Sequence, residues 1–84
     1  MTVQQAKDFG KWLSCELDAY MDDHNIGTLT DVPLEIAVEE AEYAKSNAWQ
    51  WLQELDPVYD DAEYDFQKER YQGAVKFLKK YGKR

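Results

Sequence analysis

Carboxylates are the side chains of this chain whose number and spacing could do chemistry. Its 84 residues include 17 Asp and Glu, some of them adjacent, as in Glu39-Glu40 and Asp60-Asp61. Paired carboxylates act as acid and base in hydrolases when a cleft holds them with separated pKa values. Adjacent residues on a helix point about 100° apart, and a chain of this length has little room for a cleft. We therefore interpret the carboxylates as a solvated surface and expect no enzymatic activity.

The chain has few of the side chains that nucleophilic catalysis or metal binding requires. The chain has one cysteine, Cys15, and one histidine, His24. On one helix they would lie roughly 13 Å apart at about 1.5 Å per residue, so they cannot form a catalytic pair there. A calcium loop laid over this region places Ile26 and Pro33 where ligands are needed, and a zinc site needs more His or Cys. We expect neither a metal nor a cofactor.

Charge is distributed unevenly along the chain. Residues 1–67 hold 16 acidic side chains against three lysines, a net charge of −13, whereas residues 68–84 carry a net charge of +6. An acidic body repels nucleic acid and attracts basic protein surfaces. We interpret the basic end as side chains that complement a helix dipole, in preference to a nucleic-acid or membrane patch. The expected partner is therefore a basic protein surface, with no direct nucleic-acid contact and no membrane contact.

Tyrosines lie close to the acidic residues in two segments of the sequence. Carboxylates interspersed with tyrosine can bind sites rich in Arg and Lys through charged hydrogen bonds and stacking. The ordinary alternative is acidity that serves solubility alone. The candidate partner-binding residues are Glu35, Glu39, Glu42, Tyr43, Asp56, Tyr59, Asp60, Asp61, Glu63 and Tyr64.

Two hypotheses for function follow from these patterns. The favoured one is a small acidic binding protein, and its most concrete version is an inhibitor of a nucleic-acid-binding protein or nuclease. In general character the chain is similar to the small acidic inhibitors made by phages and mobile elements. The alternative is a self-assembling module, such as a homodimer, because the sequence has more apolar surface than one small core is expected to bury. The residues behind this alternative are Trp12, Ile36, Tyr43, Tyr64 and Val75.

The stretch from Pro33 to Leu55 is the element that must position many of these residues. It contains no glycine and no interior proline, and its apolar residues recur at spacings of three and four. This spacing predicts a helix over 33–55 with one apolar face, ended by Pro57, which disfavours helix at the residue before it. The apolar face comprises Leu34, Ala37, Val38, Ala41, Ala44, Ala48, Leu52 and Leu55.

Two further helices are predicted on either side. The first spans about 3–23 and begins with a capping box formed by Thr2 and Gln5. Gly10 lies beside its apolar face, where a small residue could allow a close helix crossing. The third spans about 61–81, with Asp60 and Glu63 as a second capping box.

The links between the helices contain turn and capping residues. Asn25 and Gly27 are typical of a helix stop, and Gly82 is expected to end the last helix. Thr30 or Asp31 is expected to cap the second helix. Three helices joined by short links predict an all-α single domain, a three-helix antiparallel bundle.

Composition and the first residues bear on location. The chain is 44% hydrophobic and 32% charged, which suits a folded domain. Its first residues lack the basic start and apolar run of a signal peptide. It contains no apolar run of about 18 residues, the length needed to span a membrane. A cytoplasmic location is expected.

Overall fold

The computed structural model describes residues 1–82, apart from the side chains of residues 11, 12, 14 and 15. The sequence interpretations of Trp12 and Cys15 therefore lie outside the described part, as do Lys83 and Arg84, the last two residues of the basic end. The chain is all-α, as predicted, and residues 1–82 contain no strand. Its elements are α1 (Val3–Leu13), a first 3-10 turn (Ser14–Leu17), α2 (Asp18–Asp23), a second 3-10 turn (Leu29–Asp31), α3 (Leu34–Glu54) and α4 (Asp61–Tyr81).

Helix α1 begins as predicted but does not continue to residue 23. The Gln5 amide donates to Thr2 Oγ1 at 3.1 Å and the Thr2 amide donates to Gln5 Oε1 at 2.9 Å, which confirms the capping box. Gly10 then leaves helical geometry at φ 76° and ψ 165°, a region open essentially to glycine alone. No atom lies within 4 Å of a Cβ built there. The prediction of a close crossing at Gly10 is wrong, because its role is conformational.

Helix α2 ends in a Schellman motif. Asn25 adopts a positive φ of 54°, the Ile26 amide donates to the Met21 carbonyl at 2.8 Å, and the Asn25 amide donates to the Asp22 carbonyl at 3.3 Å. This confirms Asn25 as a helix stop. The following link returns to the start of the chain, where the Met1 amino group donates to the carbonyl of Val32 at 2.5 Å.

Helix α3 lacks the predicted cap. Its N-cap position is held by Pro33 without a side-chain hydrogen bond. Asp31 instead accepts a hydrogen bond from the Thr28 hydroxyl at 3.0 Å, because residues 29–31 form a 3-10 turn of their own. The other end fits the prediction, since the helix stops at Glu54 and Leu55 takes an extended conformation.

Helix α4 also begins without its predicted capping box. Asp60 lies at the N-cap position, but its carboxylate accepts from the Asp56 amide at 3.1 Å. Glu63 accepts from the Gln67 side chain at 2.8 Å and not from the backbone of residue 60. The end is as predicted, with the Gly82 amide donating to the Leu78 carbonyl at 2.7 Å.

The N-terminal segment runs antiparallel to α4. The Phe9 and Phe77 rings meet edge to face with centroids 5.1 Å apart. Further along the segment, Glu16 Oε1 lies 2.7 Å from Arg70 Nε. As residue numbers rise in one element they fall in the other, so the two elements point in opposite directions.

Helix α3 is antiparallel to α4 as well. Leu34 lies beside Tyr81, and Asn47 near the other end of α3 accepts a hydrogen bond from Arg70. Helices α1 and α3 therefore run in the same direction, with the link after α2 returning the chain between them. In an antiparallel bundle successive helices would alternate, so the predicted three-helix antiparallel bundle is not confirmed.

The core lies where α1, α3 and α4 meet. Helix α3 contributes four alanines with no exposed surface, Ala37, Ala41, Ala44 and Ala48, which lets its neighbours approach closely. The larger buried side chains are Phe9, Phe77, Leu13, Leu17 and Val32. No helix within residues 1–82 has the length and apolar character needed to cross a bilayer.

The α3–α4 hairpin extends past this core. The described hydrogen bonds and ring contacts from α1 and the first 3-10 turn reach α4 between Tyr81 and Arg70. Every residue from 49 to 66 keeps partial or full exposure. We call residues 49–66 the hairpin tip and the remaining described residues the base.

Candidate protein-binding surface

The ten predicted partner-binding residues fall into two groups rather than one site. Nine of them are exposed, and Tyr64 is half-buried. Glu35, Glu39, Glu42 and Tyr43 lie on the first half of α3, whereas the other six belong to the hairpin tip. At about 1.5 Å per residue, about 28 Å of α3 separates Glu35 from Glu54, where the helix ends before the second group.

Two members of the first group, Glu35 and Glu39, border an open groove at the start of α3. Glu35 and Glu39 form one side of it, and Leu34, Val38 and Tyr81 provide apolar lining. The two carboxylates are four residues apart, so they stand on the same face of the helix. This end of α3 carries the positive pole of the helix dipole, which stabilises the charged form of the two carboxylates. The same positive pole opposes an approaching cation, so their attraction for a cation is weaker.

Tyr43 and Ile36 differ in burial, although the sequence suggested that both would be hard to cover. Ile36 is half-buried and packs against the core, whereas Tyr43 is 58% exposed. Nearby, burial raises the pKa of the Glu40 carboxyl, and the charges of Glu16 and Glu39 add to the effect.

The turn of the hairpin tip is fixed by its own hydrogen bonds. The Asp56 carboxylate accepts from the amides of Val58 at 2.8 Å and Tyr59 at 3.3 Å. The Asp60 carboxylate accepts from the Asp56 amide at 3.1 Å, and the Asp60 amide donates to the Asp56 carbonyl at 2.8 Å. These bonds hold Val58 and Tyr59 outward, with 79% and 86% of their surfaces exposed.

Six exposed carboxylates lie within residues 54–65, on both sides of Val58 and Tyr59 in the sequence. Among the side chains that the structure describes, none of the six forms a salt bridge, and the two ion pairs found there join Arg70 to Glu16 and Lys80 to Asp8. Unpaired like charges grouped on a narrow projection produce a strong local negative potential. The six are Glu54, Asp56, Asp60, Asp61, Glu63 and Asp65.

Two tryptophans near the start of the tip add exposed aromatic surface. Trp49 and Trp51 each retain about half of their area. The Trp49 ring lies 5.5 Å from the Tyr71 ring, which holds it against α4. Trp51 lies on another side of α3, beside Asn47 and Glu54.

A buried polar network at the boundary of base and tip was missed by sequence reasoning. Arg70 Nε donates to Glu16 Oε1 at 2.7 Å, and Arg70 Nη1 donates to Asn47 Oδ1 at 2.8 Å and Gln67 Oε1 at 3.0 Å. The Arg70 side chain is 8% exposed and that of Glu16 is 10% exposed. The network joins the first 3-10 turn, α3 and α4, so its role is structural. Glu16 lies 54 residues from Arg70, and no local pattern indicates the pair.

A second polar cluster, also missed, centres on Asp8. Its Oδ2 accepts from Lys80 Nζ at 2.8 Å and from the Tyr81 hydroxyl at 2.5 Å, and its Oδ1 accepts from Gln4 at 3.0 Å. The hydrogen bonds from Lys80 and then Tyr81 lower the pKa of Asp8 to about 2. The bond to Asp8 raises the pKa of Lys80 and that of Tyr81.

The comparisons with protein families, curated proteins and solved structures found no match to this chain. Within the described residues, no group of three or more His, Cys, Asp or Glu is placed to hold a metal ion.

Proposed function

We propose that the protein is a non-enzymatic binding module whose hairpin tip docks on a basic surface of a partner protein. The observation that carries the proposal is the hydrogen-bonded turn that presents Val58 and Tyr59 among six exposed carboxylates. Compared with the sequence hypothesis, the proposal places the binding surface at the tip instead of on both groups of acidic residues.

The hydrogen-bonded turn favours binding by the two outward side chains. Tyrosine is frequent among the residues that contribute most to protein interfaces. Association loses affinity when loops and side chains must be ordered. Because Asp56 and Asp60 already fix the turn, less of that cost remains for docking Val58 and Tyr59.

The surrounding carboxylates provide the preference for a basic partner. They would form a rim of charged hydrogen bonds with Arg and Lys side chains and speed the encounter of the two proteins. Asp56 and Asp60 each have further acceptor capacity beyond their bonds to the turn. Rim pairs of this kind are screened by salt.

The most concrete form of the proposal is an inhibitor of a nucleic-acid-binding protein or nuclease in the cytoplasm. Such proteins neutralise phosphates with Lys and Arg. A narrow acidic projection with an exposed tyrosine could occupy that basic surface and exclude the nucleic acid. The matching chemistry of carboxylate and phosphate toward Arg supports this version.

Two charge-reversal variants of equal size test the location of the site. D60K/D61K changes the tip, and E35K/E39K changes the other acidic group by the same charge. Tagged wild-type and variant proteins would be used to capture partners from a lysate at low and high salt, after circular dichroism has shown equal helicity. We expect a basic protein to be retained by the wild type and by E35K/E39K, lost by D60K/D61K, and released by salt.

A captured partner would then be tested for the inhibitor version. The purified domain should displace that partner from a labelled nucleic-acid fragment, and D60K/D61K should fail to do so. Equal capture by both variants, or loss only with E35K/E39K, would contradict the assignment of the tip.

A further inference from the structure

The chain carries a basic surface of its own at the end opposite the tip. A groove between α1 and α4 is lined by Lys7, Asp8, Lys76, Phe77 and Lys80. Three cations share it with one carboxylate, and that carboxylate is bound to Lys80. Within residues 1–82, Lys7 and Lys76 form no salt bridge. We call this surface the basic groove.

The tip of a molecule cannot reach its own basic groove. Asp61 begins α4 and Lys80 lies in its last turn, so about 28 Å of helix separates them at about 1.5 Å per residue. A continuous helix cannot bend its start onto its end. A contact between these two surfaces must therefore join different molecules.

We propose that the hairpin tip of one copy docks in the basic groove of a second copy. The proposal relies on the tip being the docking element named under the proposed function, and it identifies a partner with the required charge. Asp60 and Asp61 on the tip would face Lys7 and Lys76, the lysines of the groove that form no ion pair within the described residues. The 17 Asp and Glu side chains of the whole chain oppose a nucleic acid as the occupant.

The two surfaces are different, so the contact is head-to-tail. Such a contact leaves a free tip on one copy and a free groove on the other, and it produces open chains or closed rings. Exposed ion pairs contribute little each. The assembly is therefore weak, grows with concentration and is dispersed by salt.

The mass of the full chain as a function of concentration tests the contact. At low salt, sedimentation or light scattering should give an average mass that at least doubles from 9.9 kDa as concentration rises. At about 1 M salt, where charges are screened beyond about 3 Å, the mass should return to that of the monomer. A mass that stays monomeric at low salt and high concentration would overturn the proposal.

Two complementary variants make the test specific. D60K/D61K removes the tip surface and keeps the groove, whereas K7E/K76E removes the groove and keeps the tip. Each alone should stay monomeric, and their mixture should form a dimer of twice the monomer mass and nothing larger. The K45E variant, with its change on α3 outside the groove, should assemble like the wild type.

The outcomes separate this proposal from the proposed function. K7E/K76E keeps its tip, so it should still capture an external basic partner while losing self-assembly. Assembly of K7E/K76E at the wild-type level, or a mixture that stays monomeric while the wild type assembles, would overturn the head-to-tail contact. Neither result would affect binding of the tip to another protein.

Discussion

The base and the hairpin tip are built from the same two long helices but are stabilised differently. In the base, α1 covers α3 and α4, and Phe9, Leu13 and Phe77 are almost fully buried. In the tip, the same helices continue without a fully buried residue. The tip is held by its turn hydrogen bonds and by the helices that extend from the base.

This difference separates the residues that stabilise the fold from those that remain exposed at the surface. Burial of large apolar side chains is the main favourable contribution to folding, and it is concentrated in the base. The tip places apolar and acidic side chains in water, where they contribute little to folding and remain available for contact. Substitutions in the two regions should therefore have opposite consequences.

The largest loss of stability should come from Phe77 in the base. Phe77 is 1% exposed and meets Phe9 edge to face. Truncating a buried phenylalanine to alanine costs about 3–5 kcal/mol, since it removes apolar burial and leaves a cavity. We expect F77A to lower the free energy of unfolding, measured in urea, by that amount. F77L should lose clearly less, and equal losses would contradict the packing.

Breaking the buried ion pair between Arg70 and Glu16 should lower the free energy of unfolding by about 3 kcal/mol. R70M leaves the Glu16 carboxylate buried without its partner, and removing one member of such a pair is strongly destabilising. The double variant R70M/E16L should recover much of the loss, because replacing both charges removes the unpaired one. Urea unfolding of the two variants checks this, and no recovery in the double variant would count against the pair.

A smaller loss should follow substitution of Gly10. G10A introduces a Cβ at φ 76°, and such backbone conformations cost about 1–3 kcal/mol for other residues. Gly27 is a matched control, since it lacks a positive φ and no atom lies within 4 Å of its Cβ position. Thermal unfolding should show a lower midpoint for G10A and little change for G27A. Equal changes in the midpoints of G10A and G27A would show that the positive φ of Gly10 is not the cause of the destabilisation.

The stability of the fold should depend on pH through Asp8, which lies in the base region of the molecule. Its pKa is lowered to about 2 in the fold from 3.8, so its contribution to stability is present above about pH 3.8 and is lost as the pH falls toward 2. D8N removes the titrating group. Between pH 5 and about 2, the free energy of unfolding should therefore change less with pH for D8N than for the wild type. Parallel pH profiles would contradict the lowered pKa.

The smallest effect on stability is expected in the tip. Y59A removes a side chain that is 86% exposed, and such surface changes usually stay within about 0.5 kcal/mol. Unfolding should be almost unchanged, while capture of a partner should be lost. A stability loss comparable with that of F77A would show that Tyr59 belongs to the fold and would remove the contrast between the two regions.

Local sequence signals predicted much of the secondary structure. The Thr2–Gln5 capping box, the stop at Asn25, the alanine face of α3 and the end of α4 at Gly82 each depend on a few neighbouring residues. The break at Gly10 was not predicted, because the apolar spacing continues through it and only the backbone conformation reveals the change.

Long-range features could not be obtained in the same way. The direction of α1 relative to α3 depends on the path by which residues 24–33 lead the chain back toward its start. The residue types of this link do not specify that path. Arg70 was grouped with the basic end, because its partner Glu16 lies 54 positions away. The acidic residues of the candidate site can be selected from the sequence, but their separation into two distant groups is visible only in the fold.

The contacts of α1 with α4 have a further consequence, for the order of folding. Helices α3 and α4 are neighbours in sequence, whereas Asp8 and Tyr81 are 73 positions apart. Contacts between distant positions must first close a long loop, and they form slowly. We expect the α3–α4 hairpin to form early and α1 to dock last. Pulsed hydrogen exchange during refolding would then protect the amides of residues 37–48 before those of residues 6–9, and the reverse order would contradict this sequence of events.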